Sequence, residues 1–281
     1  MGKGLNVTVW GTRGSMTALY QDRIKYGANT SCISAEWDDQ IILFDCGSGV
    51  RAFGMDLLKR EFIPNKELHI FISHLHLDHI MGLPFFPLIF LKDWIIHFYG
   101  SSEENTTFQN ELTEIMGPPY WPVSLEKAGA KLYWHQVRSG DIVNLPDQSV
   151  VRVLKSNHPN STVIYRLEIG NSHIVYGLDY ELTDECQQSY EHFIKDSSIV
   201  FFDGMYTEDE LPNFRGFGHS CWEQGISLIE SCNIGQLCIS HHDWGRNDSD
   251  LEILEQKAKS INSKCFFAKE GMTIHMEHHK E

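Results

Sequence analysis

The stretch Leu68-His69-Ile70-Phe71-Ile72-Ser73-His74-Leu75-His76-Leu77-Asp78-His79 joins an apolar run to three histidines and an aspartate within six positions. The apolar half predicts a buried strand over Leu68 to Ile72. If the strand period continues, His74 and His76 share one face, a spacing that puts two imidazoles on one metal ion. Asp78 and His79 follow where the chain must turn, and from there they address a second ion with mixed nitrogen and oxygen ligands, as zinc, manganese and iron sites do. Four polar residues in an exposed loop is the bland alternative, and their density straight after a strand argues against it.

Working outward, β-rich segments precede this stretch at Val7 to Trp10, Ser31 to Trp37 and Ile41 to Phe44. Segments of helical length and periodicity fall at Val50 to Arg60, Thr107 to Met116, Thr183 to Ile194, Ser220 to Cys232 and Asp248 to Ser260. Strands are expected at Val150 to Leu154, Val163 to Ile169, His173 to Tyr176, Ile199 to Phe202, Gln236 to Ser240 and Lys264 to Ala268. No repeat and no low-complexity linker divides the chain, so residues 1 to 281 read as one α/β domain with two sheets and helices packed outside them. The polar tail, His275 to Glu281, reads as a frayed terminus.

Composition narrows the function. With 42% hydrophobic and 22% charged residues in 281, the chain can bury a full core. A formal charge of -15, from 38 acidic and 23 basic residues, lacks the footprint of a general nucleic-acid binder. A small anionic substrate then needs a local site, such as metal ions, to hold it. Seven cysteines without a CxxC pair fit free thiols better than disulfides or a thiolate zinc site. The start, Met1 to Asn6, shows no apolar signal core, and Phe85 to Phe98 is too short and too charged to span a bilayer. A cytoplasmic protein with no membrane partner is the expectation.

His74-Leu75-His76-Leu77-Asp78-His79 resembles the HxHxDH motif of the metallo-β-lactamase superfamily, and further parts of that pattern appear in order along most of the chain. The resemblance implies the αββα four-layer sandwich. It also implies two divalent ions, zinc first, with manganese or iron as alternatives. By the same resemblance His158 in Ser156-Asn157-His158-Pro159 joins His74 and His76 on one ion. Asp179 in Tyr176-Gly177-Leu178-Asp179 bridges both ions, and His241 in Ile239-Ser240-His241-His242 joins Asp78 and His79 on the other. His242 stands beside it as the alternative ligand.

Gly218-His219-Ser220 is similar to the GHS or AHS motif of the superfamily's phosphodiesterase branch, which includes the tRNA 3′-processing endonuclease. The resemblance implies that His219 contacts the scissile phosphate and protonates the leaving oxygen, a role that suits an imidazole near neutral pH. Asp78 and His219 are thus the candidate catalytic residues. Ser220 and Glu223 have capping-box spacing, and Ser220 at that helix start is a candidate substrate contact. In the tRNA-processing enzymes a long arm separates the third histidine from the bridging aspartate; here the two stand only 21 positions apart (179 − 158).

The stretches Gly11-Thr12-Arg13-Gly14-Ser15, Tyr26 to Ser31, Phe44-Asp45-Cys46-Gly47-Ser48-Gly49, Gly82 to Phe86 and Phe202 to Tyr206 resemble the cyclic-nucleotide phosphodiesterase-like group of the superfamily. The expected substrate is therefore a small 3′,5′-cyclic nucleotide, and a homodimer is a candidate assembly. Arg13 offers a fork to a phosphate, Asn29 an amide, and Phe85 with Phe86 a face for a base. Each has a plainer reading: a surface ion-pair partner, a turn residue, and core after Pro84. Asp45 is expected to orient a ligand histidine through its second ring nitrogen. Acyl hydrolysis on the same fold and nucleotide sequestration without turnover are the competing functions.

Overall fold

The computed structural model describes residues 4–63 and 65–277. In chain order the strands are β1 Leu5–Gly11, β2 Cys32–Trp37, β3 Gln40–Phe44, β4 Glu67–Phe71, β5 Ile95–Gly100, β6 Lys131–Gln136, β7 Ile142–Asn144, β8 Val150–Lys155, β9 Val163–Ile169, β10 Ser172–Gly177, β11 Ile199–Asp203, β12 Gln236–Ser240, β13 Cys265–Phe267 and β14 Thr273–Met276. The helices are α1 Val50–Lys59, α2 Leu77–Ile80, α3 Phe108–Ile115, α4 Asp184–Ile194, α5 Trp222–Ser231 and α6 Asp248–Ile261. One sheet runs β14-β1-β2-β3-β4-β5-β6 and the other β13-β12-β11-β10-β9-β8-β7.

Strand parity sorts the apolar residues into layers. On β3, Ile42 and Phe44 enter the core between the sheets with Val7, Phe71, Tyr165 and Tyr176, whereas Ile41 and Leu43 face outward to Phe53 and Leu57 of α1. On the second sheet Leu167 and Ile174 point inward, and Ile164, Val175 and Val200 point out to α4, α5 and α6. Each sheet thus buries both faces, giving the αββα sandwich that the sequence predicts. Strands β3 to β6 are mutually parallel, as are β10 to β13, so the carboxyl ends of both sets collect loops.

Most expected elements appear within one or two residues of their predicted bounds. Strands β5, β6, β7 and β14 are additions. β14 pairs antiparallel with β1, matching Asn6 with His275, so the tail through Met276 is a sheet edge and not a frayed end; residues 278–281 lie outside the described set. All seven cysteines are unpaired thiols. Among the described residues no helix is long and apolar enough to cross a membrane.

Candidate metal centre

β4 ends at Phe71, so His74 and His76 stand in the loop beyond it and not on strand periodicity as expected. His76 has extended backbone (φ -62°, ψ 146°) and caps the four-residue α2, which carries Asp78 and His79. The loop following β8 supplies His158. Asp45 after β3, Asp179 after β10 and His241 after β12 adopt left-handed backbone, with φ of 57°, 54° and 58°. Such conformations cost about 1–3 kcal/mol each and persist where surrounding structure enforces them. Here each turns a side chain at a strand end back into one shared space.

In that space His74, His76 and His158 form one group of donors, and Asp78, His79 and His241 form another. Asp179 lies between them: its Oδ1 is 3.9 Å from His74 Nε2 and 3.7 Å from His158 Nε2. Its Oδ2 is 3.0 Å from His79 Nε2 and 3.2 Å from His241 Nε2. Asp78 Oδ2 is 3.2 Å from His79 Nε2 and 3.3 Å from His241 Nε2, and it accepts from the Ser15 amide at 2.8 Å.

Hydrogen bonds on the far ring nitrogens set which lone pairs face inward. His79 Nδ1 donates to Asp45 Oδ2 at 2.6 Å, and His158 Nδ1 donates to the Gly218 carbonyl at 2.8 Å. Asp45 is itself held by the Ser73 amide (2.7 Å), the Ser73 hydroxyl (2.8 Å) and the Tyr176 hydroxyl (2.6 Å), the last reaching across from the other sheet. With its proton on Nδ1, His79 turns a lone pair toward Asp78 and Asp179. Acceptors then face acceptors, and His74 Nε2, His79 Nε2 and Asp179 Oδ2 are buried without a hydrogen-bond partner. A bound metal cation would reconcile such an arrangement, and imidazole nitrogen with carboxylate oxygen is the donor set of divalent transition metals. Burial pushes His74 down, toward the neutral, ligating form.

His219 borders this cluster, its ring 5.1 Å from that of His158 and 5.0 Å from that of His241. Its Nδ1 donates to Asp203 Oδ2 at 2.8 Å. Burial alone lowers its pKa, but the charge and hydrogen bond of Asp203 outweigh that and carry it up to about 9. Two residues here were not singled out from the sequence. Asp203 ends β11 as Asp45 follows β3 and Asp179 follows β10, so an aspartate at the end of an apolar strand is the signal that would have found it. Asn160 places Nδ2 2.8 Å from His76 Nε2; nothing in its local sequence marks it.

Several expectations are corrected. Arg13 is fully buried, donating through Nε to the Gly27 carbonyl and through Nη1 to the carbonyls of Asp243 and Arg246, so it ties loops together and offers no fork to a substrate. Asn29 is committed to Glu270 and Ser48. The Ser220 hydroxyl is buried between the Tyr180 carbonyl (2.6 Å) and the Leu182 amide (2.9 Å), which excludes it as a substrate contact. The capping box of α5 is Cys221 with Gln224, one residue later than expected. Phe86 is core, stacked 6.1 Å from Phe53, whereas Phe85 is exposed and edge-on to Trp121. His242 points away from the cluster, donating through Nε2 to the Ala268 carbonyl.

A family model described as the β-lactamase superfamily domain matches residues 40–242. A ribonuclease Z from Oceanobacillus iheyensis is 25% identical over 266 residues, covering 79% of this chain and 85% of the relative. The metallo-β-lactamase fold protein YhfI from Bacillus subtilis superposes with a TM-score of 0.71 at 19% identity, over 97% of this chain and 100% of that one. A diphosphatase of the PhnP family also reaches 0.71, at 16% identity over 99% and 100% of the two chains. The matched model spans most of the chain and every inward-facing histidine of the cluster, so this protein belongs to the β-lactamase superfamily.

Proposed function

We propose that this chain is a metal-dependent phosphodiesterase acting on a small phosphodiester, most simply a 3′,5′-cyclic nucleotide. The observation that carries the proposal is Asp179, which turns one carboxylate oxygen toward each of two donor groups, with the His219–Asp203 pair beside it. His74, His76 and His158 would hold one divalent ion, Asp78, His79 and His241 a second, and Asp179 both. When bound, such a pair supplies an activated hydroxide near neutral pH and charge neutralisation for a phosphoryl group. The chain's own residues do the rest. Asp45 and the Gly218 carbonyl keep the His79 and His158 lone pairs aimed inward. Asp203 holds Nδ1–H of His219, leaving Nε2 as the end that can pass a proton to a leaving oxygen.

The ribonuclease Z relative favours RNA as an alternative substrate. Against RNA stands the interval between His158 and Asp179, which is filled by the β9-β10 hairpin. The nearby cations are also engaged: Lys25 with Glu252, Arg246 with Glu210, and Arg13 with backbone carbonyls. Arg215 lines a crevice with Glu181, Asp184 and Glu185. These pairings leave Lys25, Arg246 and Arg13 little free charge with which to grip a polyanion.

Assays of the zinc- or manganese-loaded protein against cyclic mono- and dinucleotides, a precursor tRNA, and thioester and lactone substrates separate the readings. A cyclic nucleotide should be opened to a mononucleotide, with loss of turnover on chelation and in Asp179→Ala. Cleavage of the RNA alone, or of acyl substrates alone, would overturn the proposal.

A further inference from the structure

The loop Phe214-Arg215-Gly216-Phe217-Gly218-His219 joins the proposed proton donor to an exposed aromatic ring. Phe217 is 60% exposed, although burial of a phenylalanine is worth roughly 1.5–3 kcal/mol and the chain has a large core to receive one. Its position is held firmly. The Gly216 amide donates to both oxygens of Glu181, at 2.9 and 2.8 Å, and the Gly218 amide donates to Oε2 at 3.0 Å, while the Phe217 amide closes a turn onto the Phe214 carbonyl at 3.1 Å. Gly216 and Gly218 have φ of 84° and 86°, and a Cβ at Gly218 would stand 2.1 Å from His158 Nδ1. The backbone on one side of Phe217 therefore lies against the metal centre, and only glycine permits that approach.

The ring is also backed by others. Phe217 meets Phe214 edge-on at 5.8 Å, Phe214 stacks on Tyr206 at 4.5 Å and 7°, and Tyr206 lies edge-on to His219 at 6.1 Å. A rigid, solvent-facing aromatic joined through two rings to His219 is a preorganised platform, because little ordering remains to oppose binding. An exposed ring face takes a planar group, and the exposed Arg215 two residues away lines a crevice with the acids Glu181, Asp184 and Glu185.

We infer that Phe217 is the face on which the nucleobase of the substrate stacks, the phosphodiester lying over the His/Asp cluster; this rests on the phosphodiesterase reading above. Purines, with the larger π-face, are then preferred to pyrimidines.

The test uses the metal-loaded full chain, Phe217→Ala, Phe217→Trp and Phe85→Ala. Substrates are a 3′,5′-cyclic purine nucleotide, its pyrimidine counterpart and a base-free 3′,5′-cyclic ribose phosphate. Calorimetric binding of a slowly hydrolysed cyclic purine phosphorothioate is measured alongside. Phe217→Ala should lower the kcat/KM ratio of purine to base-free substrate about tenfold, through KM, and weaken phosphorothioate binding similarly, with recovery in Phe217→Trp. An equal change on all three substrates, or a loss of preference in Phe85→Ala in place of Phe217→Ala, would overturn the inference while the phosphodiesterase reading stands. Phe217-dependent binding without cleavage of any diester would overturn that reading and keep the platform. Absence of both binding and cleavage would overturn both.

Discussion

Asp45 receives four hydrogen bonds, from the Ser73 amide and hydroxyl, the Tyr176 hydroxyl and His79 Nδ1; the last comes from the donor cluster itself, and the Ser73 hydroxyl also stands 3.0 Å from His74 Nδ1. Asp45→Asn keeps the shape but removes the charge that fixes the His79 tautomer. Metal affinity should fall about 10–100-fold, read by competition with a chromogenic chelator; wild-type affinity in this variant would refute the orienting role. His219→Ala removes a different function. Its kcat should drop on the order of 10²–10⁴-fold, more for poor leaving groups than for 4-nitrophenolate. A loss independent of the leaving group would assign His219 to binding alone. Both roles were expected from the sequence, Asp45 because it closes an apolar strand and His219 because Gly218-His219-Ser220 resembles a known motif. The commitments of Arg13, Asn29 and Ser220 were not legible, because each is decided by a carbonyl, amide or carboxylate brought in from elsewhere in the chain.

At the scale of elements, the loop from Tyr180 to Leu182 and the start of α5 are strapped together by Ser220, whose hydroxyl accepts from the Leu182 amide and donates to the Tyr180 carbonyl. Ser220→Ala leaves a buried amide unsatisfied and should cost about 1–3 kcal/mol in denaturant unfolding; a cost near zero would show that the strap carries no stability. Gly218→Ala acts on the centre itself, because the added methyl meets the His158 ring and φ of 86° is unfavourable for alanine. Metal occupancy, measured by elemental analysis, should fall in this variant. Full occupancy would mean that the loop yields without disturbing His158. Among strands, β5 and β6 were illegible for a physical reason. Ile95 follows an apolar, proline-containing run broken only by the Lys92-Asp93 turn, and Lys131-Leu132-Tyr133-Trp134-His135-Gln136 is a sheet edge whose faces are both partly exposed. β14 earns its place only by pairing with β1.

Across the whole molecule, the donors divide between the halves of the sandwich. His74, His76, Asp78 and His79 follow a strand of the first sheet, while His158, Asp179 and His241 follow strands of the second. Ions held by both would cross-link the sheets at one end and relieve the opposed acceptors. Stripping divalent metal with a chelator should therefore lower the Tm, and titrating zinc or manganese back should raise it in proportion to the logarithm of free metal beyond saturation. A Tm indifferent to metal would mean that the cluster holds none.

By itself the sequence determined the order of most strands and helices and the dense histidine–aspartate motif at the end of β4, because strand parity, helix periodicity and ligand chemistry are local properties of the chain. Tertiary structure alone decided which distant groups meet: that His241 and not His242 enters the cluster, that Asp203 holds His219, that Arg13 is spent on carbonyls, and that Phe217 stays in solvent. Those outcomes depend on which face of a strand end or loop looks into the shared space between two sheets, and that is set only when the sheets pack.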